Sequence, residues 1–491
     1  MALTKEQTAE YLQEREGLMS PNVLADRYAS NDMLRVFSPK QRVLDERELW
    51  IAVMKGQASL GLDIPPHVIA AYEDARAIVN LDSIRARERQ SRHSEKAKID
   101  EFDALAGGHG RIHLGMTSRD LTDNIEQMQM RNGLVVVRNK TVATLAKHAE
   151  RALEGDAIYY ADRTHNMIAQ PTTVGKLFST SGQELMLAFN ELDHFIDSYP
   201  LRGLKGATGT QTDQLELLKD PAKVEELDQK VAEHLGFTET LDSVGQIYPR
   251  SLDFAAISKL YYLMCGPSSF ATTARLMAGN DQFNEGFKKG QSGSSAMPYK
   301  MNSRSLERVS GFKIDEIGKL MSAAANAGDQ WYGGDVRDSV PRRVILADSL
   351  FSADGMLETY LTVLQEMGYY PEVMNAEINI YAPFLAGTKI MMRAVEQGLP
   401  RELAHTVIKE HSVAVVSEMR TTGTYDNNLA QRLSSDERMN LDRQQMEDII
   451  ATPMSEQVGM ASAQVKRFVG KVEKIVVKYP DAANYEPMPI L

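Results

Sequence analysis

Long heptad-like stripes constrain this chain more than any other feature. After Ser118, the apolar residues Leu121, Ile125, Met128, Val135, Val142 and Leu145 follow at steps of 4, 3, 7, 7 and 3. That is the spacing of a long helix with one apolar seam. The stretch after Pro171 repeats the theme with Leu185, Phe189, Leu192 and Ile196. A third stripe runs through Leu346, Leu350, Ala353, Leu357, Leu361 and Leu364 before Gly368 and Pro371 stop it. Alternation of the strand kind is rare and short. The pattern predicts an all-α protein with unusually long central helices. Such seams must be covered within one chain or between chains, so an oligomer is expected.

Helix length divides the chain into three helical domains. Residues 1–117 hold shorter helices and a Gly-rich link (GGHGRIHLG), 118–370 a central long-helix bundle, and 371–491 shorter helices again. Apolar residues make up 43% and charged residues 25%, an ordinary globular balance. The net charge of −12 disfavours nucleic acid and anionic membranes as partners. An anionic substrate must therefore meet a local cluster of Arg, Lys and helix N-termini. The single cysteine, Cys265, allows no internal disulfide and fits a reducing cytoplasm. The polar start MALTKEQTAEY has no signal-peptide apolar region, and no apolar run reaches the length of a membrane span.

Several stretches carry candidate chemistry. In RTHNMIAQPTTVGK (163–176), Pro171 suits the first turn of a helix, which would leave Thr164, His165 and Gln170 on the loop entering it. A histidine there can move a proton near neutral pH; a loop histidine bonded to backbone is the plainer alternative. In HLGMTSRDLTDN (113–124), Thr117 and Asp120 have the spacing of a capping box. Free N–H groups with the Thr117 and Ser118 hydroxyls make a natural carboxylate site. A plain cap explains Thr117 and Asp120 equally well, but not His113 and its flanking glycines. His109 and His113 are four apart, yet they lack the HExxH glutamate and a third ligand, so no metal is expected. In RDSVPRR (337–343), Ser339, Arg342 and Arg343 suit a phosphate, or simply a solvated helix start. Arg27 and Tyr28 in LADRYAS form a weaker pair of the same kind. GLKGATGTQ (203–211) follows no strand and does not match GxGxxG, which rejects a dinucleotide fingerprint. SGSSAMPYKMNSRSLERV (292–309) reads as a loop able to close over a ligand, with Lys300 offering charge to a carboxylate and a helix starting near Ser303.

GSSAMPYKMN (293–302) closely resembles the signature GSSxMPxKxN of the aspartase/fumarase superfamily, whose members eliminate fumarate from succinyl-type substrates. Tyr-Lys after Met-Pro, with SLERV following, is most similar to the adenylosuccinate lyase family. RTHNMIAQPTT, HLGMTSRDLTDN, LADRYAS and RDSVPRR resemble that family's histidine, threonine-serine and phosphate segments, and QSRHSEKAK (90–98) its RHD-containing segment. The matches keep the family's order over nearly the whole chain.

The resemblance implies three all-α domains and a homotetramer built on the central helices, with each active site shared between subunits. It implies fumarate release from adenylosuccinate and from the related succinylated imidazole ribotide (SAICAR), without a cofactor. Ser294 would be the carbon base and His165 the general acid. Lys300, Asn302, Thr117 and Ser118 would hold the succinyl carboxylates, and Arg27, Tyr28, Ser339 and Arg343 the phosphate. Thr164, His113, Arg92, His93, Ser94, Gln246 and Arg308 would line the remainder. A serine base must be ionised by Lys300, backbone N–H groups and a closed, dry loop. This chain departs from the family pattern at Ser303 (often proline), Ser94 (aspartate) and Gly334 (arginine in some relatives), with Arg342 the expected substitute for the last. Another fumarate-releasing lyase and a non-catalytic scaffold on the same fold are the alternatives.

Overall fold

The structure is a computed structural model that describes residues 21–287, 290–291 and 293–488. The polar start MALTKEQTAEY lies outside the described residues. Among the described residues, six helices come first: α1 (Val23–Arg27), α2 (Asn31–Phe37), α3 (Pro39–Ser59), α4 (Pro66–Ala75), α5 (Leu81–Ser91) and α6 (Ser94–Leu105). The central part contains α7 (Ser118–Glu154), α8 (Val174–Asp197), α9 (Thr212–Leu218), α10 (Pro221–His234), α11 (Ser251–Gly279), α12 (Arg304–Asn326) and α13 (Ser339–Glu366). Then follow α14 (Pro371–Leu385), α15 (Gly387–Glu396), α16 (Arg401–Thr422), α17 (Leu429–Ser434), α18 (Arg443–Ile450), α19 (Met454–Gln457), α20 (Ala461–Lys478) and α21 (Pro480–Ala483). The all-α expectation holds. Strands among the described residues form two short antiparallel ribbons, β1 (Tyr159–Thr164) with β2 (Met167–Thr173), and β3 (Phe283–Asn284) with β4 (Gly368–Tyr369). No described helix is long and apolar enough to cross a membrane.

The stripes became the bundle. At 37 residues, α7 is about 55 Å long. Its Leu121, Ile125, Met128, Val142 and Leu145 are buried, as are Leu185, Phe189, Leu192 and Ile196 of α8. On α13 every residue from 349 to 361 is buried, so that helix is covered on all sides rather than along one seam. It ends at Glu366, and Pro371 opens α14. Helices α7, α8, α11, α12 and α13 share one large apolar cluster. Val465, Phe468, Val469 and Val472 of α20 join it from the far end of the chain. A second cluster gathers α3, α4 and α6, and takes in Leu121, Ile125 and Leu227 from beyond residue 117. A third is confined to residues 386–446.

One local expectation is corrected. Pro171 does not open a helix; it sits in β2, opposite Ala161. RTHNMIAQPTT is a β-hairpin whose tip carries His165 and Asn166 at φ 53° and 61°. Two consecutive left-handed residues make the primed turn that matches the twist of a hairpin, and Asn tolerates it. The helix starts later, at Val174, where the Thr173 hydroxyl accepts from the Lys176 N–H at 3.0 Å.

Candidate active site

Three helices present their first residue to one cavity. Ser94 opens α6, Ser118 opens α7 and Ser339 opens α13, and all three line a space of about 600 Å³. Helix N-termini carry free N–H groups and positive dipole ends, so this convergence favours an anion. Arg42, Lys98, Arg119, Arg342 and Arg343 add cationic side chains to the wall, and Glu95 and Glu126 acidic ones.

The α7 end of the cavity follows from its cap. The Asp120 carboxylate accepts from the Thr117 N–H at 2.8 Å, as the sequence spacing suggests. Asp120 is also fully buried on Arg202 (2.5 Å) and the Gly206 N–H (3.0 Å). It is thus a structural residue that fixes Thr117 and Ser118 in place. The glycines of 203–211 belong to the loop it holds.

An adjoining space of about 540 Å³ is lined by His93, His113, Thr117 and Ser118. His113 adopts φ 63°, and its Nδ1 accepts from the Trp50 indole N–H at 3.0 Å. A neutral ring with Nδ1 as acceptor carries its proton on Nε2. Burial lowers the His113 pKa below its ordinary value, although Asp120 and Glu95 oppose this. His113 is thereby a neutral donor beside the Thr117 and Ser118 hydroxyls. Nothing local in the sequence pairs Trp50 with His113, 63 residues apart. His93 is the N-cap of α6, its Nδ1 accepting from the Lys96 N–H at 3.3 Å. Arg92 precedes it at φ 53°, exposed.

Arg342, the expected substitute for an arginine at 334, lines the cavity but is committed to partners within the chain. Its guanidinium donates to Asp253 (2.8 Å), Glu126 (2.7 Å) and the Tyr248 hydroxyl (2.5 Å), and the side chain is buried. Burial raises the pKa of Glu126, but Arg342, Arg42 and Arg250 outweigh it and hold the group at about 2. Arg343, one residue on, is exposed and makes no ion pair with the described residues. Ser339 and Arg343 are four apart and share one helix face, which turns both toward the cavity. Gly334 has φ 143°, and a Cβ there would meet Ile247 at 2.9 Å, so its backbone and surroundings both favour glycine. The Gln246 N–H donates to the Gly333 carbonyl at 2.7 Å, tying Gln246 to the same turn.

The remaining candidates lie elsewhere in the chain. Tyr28 and Arg308 line a third space of about 580 Å³, with the Arg308 guanidinium 5.5 Å from the Tyr28 ring. Arg27 is exposed at the end of α1. Thr164 and His165 are exposed at the hairpin tip. Neither they nor residues 293–303 line any of these three spaces.

The signature loop folds onto itself. The Ser294 hydroxyl accepts from the N–H groups of Ala296 (3.3 Å) and Met297 (3.1 Å), and Asn302 donates to the Gly293 carbonyl at 2.8 Å. A Cβ at 293 would lie 2.1 Å from the Lys300 carbonyl oxygen, so only glycine fits there without movement. The helix following the loop starts at Arg304, with Ser303 as its N-cap. Its first N–H groups are met by Glu285, which accepts from Ser305 (2.9 and 3.0 Å) and Leu306 (3.0 Å). This cap comes from 20 residues upstream, beyond the reach of any local capping pattern.

Comparison with known proteins identifies the family. A family model described as "Lyase" matches residues 25–314, and one described as "Adenylosuccinate lyase C-terminus" matches 383–468. Adenylosuccinate lyase of Saccharomyces cerevisiae is 32% identical over 91% of this chain and 93% of its own length. That of Schistosoma mansoni is 31% identical over 84% and 87%. Among solved structures, a fumarate lyase from Mesorhizobium sp. BNC1 superposes with a TM-score of 0.77 at 17% identity, covering 90% of this chain and 98% of that one. The 3-carboxy-cis,cis-muconate lactonizing enzyme of Pseudomonas putida gives 0.77 at 17% identity, over 93% and 100%. These two show a shared fold. With relatives aligned over most of its length, one family model spanning its signature loop and the other its C-terminal helices, the chain belongs to the adenylosuccinate lyase family.

Proposed function

We propose that this chain cleaves adenylosuccinate to AMP and fumarate, and SAICAR to AICAR and fumarate, as a carbon–nitrogen lyase of purine nucleotide biosynthesis. The observation that carries the reading is the convergence of Ser94, Ser118 and Ser339 on one cationic cavity. A succinylated nucleotide is anionic at both ends, and such a cavity receives one end while the Thr117–His113 space receives the other.

In this reading Ser294 takes the proton from the carbon beside a succinyl carboxylate. The two N–H groups on its hydroxyl favour the alkoxide form, as would the charge of Lys300. The electron pair left on carbon spreads into the carboxylate, held by Lys300, Asn302, Thr117 and Ser118. The C–N bond then breaks, fumarate forms, and His165 gives its proton to the departing nitrogen. Neutral His113 donates from Nε2 without adding charge to the site.

The catalytic groups come together between copies of the chain. Long central helices leave large apolar side chains open in a single chain: Ile314 is 70% and Met321 64% exposed on α12, and Val340 is 72% exposed on α13. A homotetramer packed through these helices would cover them and bring His165 and the 293–303 loop of neighbouring subunits to the cavity. We place the enzyme in the cytoplasm, a reading that the single cysteine, Cys265, suits. Mixing purified protein with adenylosuccinate should produce the ultraviolet change that accompanies AMP and fumarate. A flat trace with folded protein, over a range of enzyme concentrations, would remove the reading.

A further inference from the structure

Five cationic side chains line the main cavity, and their other commitments differ. Arg342 is spent on Asp253, Glu126 and Tyr248. Lys98 is held by Glu46 at 2.6 Å, and Arg42 lies between Glu46 (3.4 Å) and Glu126 (3.5 Å). Arg343 has no ion pair among the described residues. Arg119 has one, to Asp123 at 3.1 Å.

That one pairing leaves Arg119 available. Asp123 is already compensated, because its second oxygen meets Arg250 at 3.1 Å and accepts from the Tyr248 N–H at 3.2 Å. Arg119 uses a single terminal nitrogen on Asp123, so its remaining donors stay free for a ligand. It is partly exposed, sits in the first turn of α7 and borders the cavity of Ser339 and Arg343, but not the neighbouring space of His113 and Thr117. A phosphate dianion at the Ser339 end is better offset by more than one guanidinium; Arg27 does not line this cavity and Gly334 brings no charge to it, which leaves Arg119 beside Arg343.

We infer that Arg119 is a further phosphate-binding guanidinium, lining the same cavity as Arg343, and that it helps set the preference for phosphorylated substrate. This rests on the lyase reading above. Arg119 contributes to binding in the ground state and transition state alike, so its loss acts on KM rather than kcat.

The test compares adenylosuccinate with the same nucleoside lacking its phosphate. Arg119→Gln should raise KM for adenylosuccinate roughly 10- to 100-fold, as expected for one charge-assisted contact, with kcat little changed. It should change kcat/KM for the phosphate-free substrate far less, and Arg119→Lys should recover part of the loss. Asp123 keeps Arg250, so these variants fold. An equal loss on both substrates overturns the assignment. So does an unchanged KM in Arg119→Gln while Arg343→Gln shows the phosphate-dependent rise; that outcome leaves the lyase reading standing. No fumarate from the unaltered chain would instead remove the reading itself.

Discussion

The indole N–H of Trp50 donates to Nδ1 of His113 across 3.0 Å, and this one contact fixes which nitrogen of the histidine carries the proton. Trp50 is buried in the N-terminal cluster, so the fold of α3 is coupled to the protonation of a residue beside Thr117 and Ser118.

Trp50→Phe should keep the packing of the ring but remove the donor. Nδ1 then becomes free to bind a proton, so the His113 pKa should rise from its lowered position. The acid limb of the kcat/KM profile should move to higher pH, since more of the histidine is charged at a given pH. An unmoved profile with normal folding would separate Trp50 from the site.

Adjacent arginines should behave oppositely. Arg342→Ala leaves Asp253, Glu126 and the Tyr248 hydroxyl without their shared partner, and breaking a buried pair of this kind costs about 3–5 kcal/mol. A large drop in denaturation midpoint is expected. Arg343→Ala, at an exposed residue with no ion pair among the described residues, should leave the midpoint nearly unchanged and raise KM. Similar midpoints for the two would contradict the assignment.

His148 should make the bundle acid-sensitive. It is fully buried, its Nδ1 donating to the Phe178 carbonyl at 3.2 Å and its Nε2 accepting from the Tyr360 hydroxyl at 2.8 Å. Burial lowers its pKa to about 4. Unfolded, it binds a proton below about 6.5. Between these values the unfolded chain holds more protons, so stability is lost as pH falls, by about 3 kcal/mol from this group. Urea midpoints at pH 7 and pH 4.5 measure it. His148→Asn should be less stable at pH 7 but lose less on acidification; an identical pH slope in variant and parent would assign the effect elsewhere.

Ser294→Ala should fold and bind but lose at least roughly 10²- to 10⁴-fold in kcat, the scale of a positioned proton transfer. Ser295→Ala, whose side chain is exposed, should be milder. The reverse order would place the base one residue later. Mixing inactive His165→Ala and Ser294→Ala chains should restore part of the activity if the two residues meet across subunits. No recovery after verified subunit exchange would argue for a site within one chain.

The sequence by itself determined the long helices, because a 3.5-residue apolar repeat leaves no other way to bury Leu121, Ile125, Leu357 and Leu361. It also made the family legible, since Gly293, Ser294 and Lys300 stand in a pattern specific enough to be recognised. Local reasoning failed where backbone pairing competed with it: Pro171 suits a helix start, but strand pairing and the left-handed turn at His165 and Asn166 placed it in a hairpin. Only tertiary structure decided that, on one cavity wall, Arg342 is buried on Asp253 and Glu126 while Arg343 is exposed. Their identities are the same and they are neighbours in sequence; a rotation of about 100° per helical residue aims one at Asp253 and the other outward. The same holds for Trp50 on His113 and Glu285 on the start of α12. Contacts between residues far apart in sequence depend on where helices pack, and no periodicity within a single segment encodes that.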